Sequence, residues 1–101
     1  MPAYLDPKIA HDAEVAIENA RRVRAAHARR SGRGTPRREA DIRIALERLK
    51  AAMKPLRSEI GRFPYGPATE TAEQNRKTIV RLSSDIQKER RKLWKMQKRV
   101  T

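Results

Sequence analysis

A chain of 101 residues carrying a net charge of +13, from 25 Lys and Arg against 12 Asp and Glu, with only 4% aromatic residues, is one small domain with a thin core. It has no cysteine, which excludes a disulfide framework and a thiolate metal site, and no apolar run approaches the ~20 residues of a membrane span. The charge favours a polyanionic partner: nucleic acid, an anionic membrane surface or an acidic protein.

The N-terminal MPAYLDPKIAHDAE lacks a cationic leader followed by an apolar stretch, so a cytoplasmic protein is expected. Asp6-Pro7 is a helix start, because the carboxylate caps free amides and proline tolerates the first helical position, where no donor is needed. The first helix is expected over about 7–30, with Ile9, Ala13, Ala16, Ile17, Ala20, Val23 and His27 as its inner stripe. Ser31-Gly32-Arg33-Gly34 breaks it, and Thr35-Pro36 repeats the cap-then-proline signal. A second helix over 36–61 returns Ile42, Ala45, Leu46, Leu49, Ala52, Met53, Leu56 and Ile60 to one face. Pro55 falls inside it and predicts a kink, since an interior proline removes a hydrogen bond and crowds the preceding turn. Gly61 then stops the helix.

Arg62-Phe63-Pro64-Tyr65-Gly66-Pro67 reads as an ordered elbow. Its rings, Phe63 and Tyr65, either cap the end of the bundle or form a partner-binding loop. The third helix is expected over 69–99, with Glu70 and Glu73 complementing its N-terminal dipole. Ile79, Leu82, Ile86, Leu93, Met96 and Val100 form a heptad seam broken only by Glu89. The abundance of alanine suits closely approaching helices, and the three elements together predict an all-α, elongated, antiparallel three-helix bundle.

Antiparallel order brings the end of helix 1, the start of helix 2 and the end of helix 3 to one pole. Arg21 to Arg43 holds nine basic and two acidic residues, and Lys88 to Arg99 holds seven and one, so the whole net charge lies toward that pole. Cations in a last helical turn favour the dipole, which offers a purely structural account of Arg29, Arg30, Lys98 and Arg99. That account fails for Arg37 and Arg38, which stand in the first turn of helix 2, where the dipole disfavours them. The expected nucleic-acid surface is therefore Arg29, Arg30, Arg33, Arg37, Arg38, Lys88, Arg91, Lys92, Trp94, Lys95, Lys98 and Arg99. Trp94, the only tryptophan, falls well off the Leu93/Met96 seam. It is either a ring leaning on a neighbouring helix or a half-exposed ring stacking on an unpaired base.

His11 and His27 are too far apart on one helix to share a metal, and neither a P-loop nor a paired CxxC occurs, so neither cofactor nor metal is expected. Arg22 to His27 spells R-x4-H, which resembles the motif of HEPN-type helical ribonucleases, in which such an Arg and His act on RNA. Val23 stands where that motif often has a polar residue, and His27 lies on the inner stripe, so the chain reads as a non-enzyme. Its expected function is nucleic-acid binding through phosphates, with DNA and RNA undecided. The alternative is a helical interaction module that docks on an acidic protein or self-associates as a homo-oligomer, because so thin a core is completed by a partner. A membrane surface is disfavoured, since the seam opposite the cationic stripe is needed for the core.

Overall fold

The computed structural model describes residues 5–28, 36–60 and 70–100, all but the first two of them helical. The helices are α1 (Pro7–Ala28), α2 (Pro36–Ile60) and α3 (Glu70–Val100), each packed against the other two. They form a rod of 54 × 18 × 17 Å in which α2 runs antiparallel to α1 and α3. The observed bounds lie within two residues of the expected ones. The 31–34 breaker, Gly61, and the 62–67 elbow with Phe63 and Tyr65 lie outside the described residues.

The start of α1 forms as the sequence dictates. Asp6 Oδ1 accepts from the Lys8 amide at 2.9 Å, and the Asp6 carbonyl accepts from Ile9 and Ala10, so an N-cap and a first-position proline share the work of satisfying the helix end. α2 runs through Pro55 as a single element.

Three alternating seams build the core. α1 contributes Ala13, Ala16, Ile17 and Ala20, whose small side chains let the larger residues of the other helices approach its backbone. α2 contributes Ile42, Ala45, Leu49, Ala52, Met53 and Leu56, and α3 contributes Ile79, Leu82, Ile86 and Leu93. Leu46, Met96 and Val23 are partly buried against this cluster.

Glu89 does not interrupt the α3 seam in space. It occupies the heptad position between Ile86 and Leu93, is only 3% exposed, and turns inward with them. Its charge is met from α1: Arg24 Nε donates to Oε2 at 2.6 Å and Arg24 Nη2 to Oε1 at 2.9 Å, while Arg21 Nε lies 3.5 Å from Oε1. A forked guanidinium is the group suited to a buried carboxylate, because it satisfies both oxygens at once. Away from this pole, Glu14–Arg81, Arg81–Asp85 and Glu73–Lys77 pairs lie on the surface, where each contributes little.

Removing the carboxylate alone strands two guanidiniums beside the seam. Arg24 keeps 28% of its side chain in water, so Glu89→Ala should fall at the lower end of the ~3–5 kcal/mol range for a broken buried pair. The joint change Glu89→Leu with Arg24→Met should instead be neutral or stabilising, because it completes the heptad with apolar volume. Urea melts of the two variants check the contrast: a double variant as unstable as Glu89→Ala would mean that the pair contributes more than its desolvation costs.

Candidate nucleic-acid interface

The ends expected to meet do so. His27 near the end of α1 faces Asp41 near the start of α2, and Arg24 of α1 reaches Glu89 of α3. Each contact takes an acidic residue of the basic pole and turns it toward the protein. Glu89 is buried, and Asp41 Oδ2 lies 3.2 Å from His27 Nε2. A carboxylate only accepts, so Nε2 donates in this contact, and the buried Nδ1 has no hydrogen-bond partner among the described residues.

Of the expected site residues, Lys88, Arg91, Lys92, Lys95 and Lys98 are exposed along α3. Among the described residues none of them enters an ion pair with a carboxylate, Lys98 apart, whose contacts include the face of Trp94 at 3.8 Å from the ring centroid. Trp94 is 55% exposed, so the account in which it packs into the bundle does not hold. Arg29, Arg30 and Arg33, and the side chains of Arg37 and Arg99, lie outside the described residues.

Arg38 is placed differently from the expectation of a cation opposing the α2 dipole. It is partly buried, and its Nη2 donates to the His27 carbonyl at 3.1 Å. That carbonyl belongs to the last turn of α1, where acceptors lack helical partners and a cation is favoured. Arg38 therefore ties one helix end to the next beginning.

The structure adds three cations that the sequence did not single out. Across a solvent-open groove of about 460 Å³, Arg43, Leu46, Glu47 and Lys50 of α2 face Gln87, Arg90, Arg91 and Trp94 of α3. Arg43 and Lys50 stand seven residues apart on one helical face, as do Gln87 and Trp94. That periodicity was the available signal, although it does not say which two faces meet.

The R-x4-H residues are not brought together. Arg22 is exposed and paired with Glu18 at 2.8 Å, whereas His27 is buried and directed at Asp41. Among the described residues no group of three or more His, Asp or Glu is placed to hold a metal ion, and no helix is long and apolar enough to cross a membrane.

The assignment of Arg38 as an end-to-end tie is tested by Arg38→Ala, which should lower the melting temperature by several degrees, on the scale of ~1–2 kcal/mol for a lost charged hydrogen bond. Thermal denaturation followed by circular dichroism would detect it; an unchanged or raised melting temperature would return Arg38 to the set of cations that strain the start of α2. Comparison with protein-family models, with curated proteins and with solved structures gives no match for this chain.

Proposed function

We propose that this protein binds nucleic acid through the phosphates met by its basic pole, without catalysing a reaction. One observation carries the reading: two of the pole's three acids, Glu89 and Asp41, are engaged by side chains of the protein itself and Glu39 alone is left exposed, while a row of bases stands outward. Glu89 is buried beneath Arg21 and Arg24, and Asp41 faces His27. Lys88, Arg91, Lys92 and Lys95 on α3, with Arg43 and Lys50 on α2, are exposed and enter no ion pair among the described residues. Like charges along two adjacent helices repel one another, which opposes folding unless a polyanion is present to gather them. Affinity comes chiefly from counterion release, with little reading of base edges. A cytoplasmic location suits such a role.

The alternative, a helical module that docks on a protein or on a second copy, is favoured by a different surface. Val15 is 46% exposed in a shallow groove between α1 and α2 that includes Ala51 and Pro55 and no residue of α3. The two readings part in salt.

If about 5–8 phosphates are engaged, binding of an oligonucleotide should weaken with a log–log salt slope of roughly −4 to −7. Fluorescence anisotropy across a salt series measures it. A slope near zero, or an oligomer that persists unchanged in high salt while oligonucleotides fail to bind, favours the interaction module.

A further inference from the structure

Resting on the reading of the basic pole as a nucleic-acid surface, we infer that the groove between α2 and α3 seats an unpaired base against Trp94, so that the protein prefers single strands to duplexes. The indole is the starting point. At 55% exposure it leaves a large apolar face in water, although Leu93 beside it is fully buried and completes the seam without it. The core therefore does not account for the ring.

The groove it borders has the dimensions for a ligand. Its volume of about 460 Å³ lies within the ~300–1,000 Å³ range of small-molecule sites, and Leu46 adds an apolar surface between the two helices. Its walls carry charge of one sign on both sides: Arg43 and Lys50 from α2, Arg90 and Arg91 from α3, with Glu47 as the single acid among its lining residues. None of those four cations enters an ion pair among the described residues. A base lying between the walls would carry its two flanking phosphates toward opposite pairs of cations.

The ring is also prepared electrostatically. Lys98 Nζ lies over one face at 3.8 Å from the ring centroid, so a cation already polarises the ring on that side and a base would stack on the other. Bases in a duplex are stacked on each other and offer this site only their phosphates. An acidic protein would satisfy the cations but gives no reason for a flat exposed ring beside them.

The test uses the intact protein with four probes at one salt concentration: a single-stranded oligonucleotide of roughly 16 nucleotides, the same strand made abasic, a duplex of that length, and polyglutamate of matched charge. The single strand should quench Trp94 fluorescence and bind more tightly than its abasic form, while polyglutamate should leave the emission unchanged. Trp94→Ala should weaken single-strand binding by roughly 5- to 150-fold, the range expected for one lost base stack, and leave binding of the abasic strand unchanged. Trp94→Phe keeps a stacking face and should recover much of the loss, which separates stacking from any change in stability. Equal, salt-sensitive binding of the normal and abasic strands without quenching overturns the base seat and leaves the phosphate reading standing. Quenching by polyglutamate as strong as by the single strand overturns it in favour of an acidic protein. Failure of every nucleic-acid probe to bind at low salt removes the phosphate reading, and the base seat with it.

Discussion

Burial of Glu89 is the constraint around which the basic half of the molecule is arranged. A carboxylate in a heptad position is costly to remove from water, and only a partner that satisfies both oxygens makes the position tenable. Arg24 does so in a forked geometry, and Arg21 stands by at longer range. Because the donors come from α1 and the acceptor from α3, the pair also helps to fix the axial register of two helices, one of which presents mostly small side chains. Alanines at 13, 16 and 20 pack closely but specify position weakly, and the buried Arg24–Glu89 pair, with the exposed Glu14–Arg81 pair further along the same two helices, adds the direction that their shape does not.

The same contact sorts the charge. Arg24 is drawn to the interior side, with Arg21 reaching over from the surface, along with the acid that would otherwise screen α3. The His27–Asp41 contact repeats the pattern at the α1–α2 junction, and Arg38 closes it over the His27 carbonyl. What remains outward is a cationic surface running from α2 onto α3, with Trp94 at its edge. Stability and surface character are thus set together, since the pairs that hold the pole together also occupy Glu89 and Asp41, two acids that would otherwise offset its outer cations.

Most of the architecture is legible in the sequence. The helix bounds followed from local chemistry, chiefly Asp6-Pro7 and Thr35-Pro36 at the starts, and the core followed from the recurrence of apolar residues at three and four. Glu89 was misjudged as a break, because periodicity counts apolar residues and is blind to an acid that keeps the register and finds a partner on another helix. Arg38 was misjudged for a related reason: its position opposes the dipole of its own helix, but its side chain serves the end of another.

The sequence by itself determined that three amphipathic helices would form, which face of each would be buried, and that the net charge would gather at one pole, because these depend on spacing along one chain and on the antiparallel order of short-linked helices. It did not determine which face of α2 would border Trp94. The same three seams are buried whether the third helix packs to the left or to the right of the first two, and the two arrangements differ in which outer faces adjoin. Only tertiary packing set Arg43 and Lys50 across from Arg90, Arg91 and Trp94, and so turned an exposed ring and a row of separate cations into one groove.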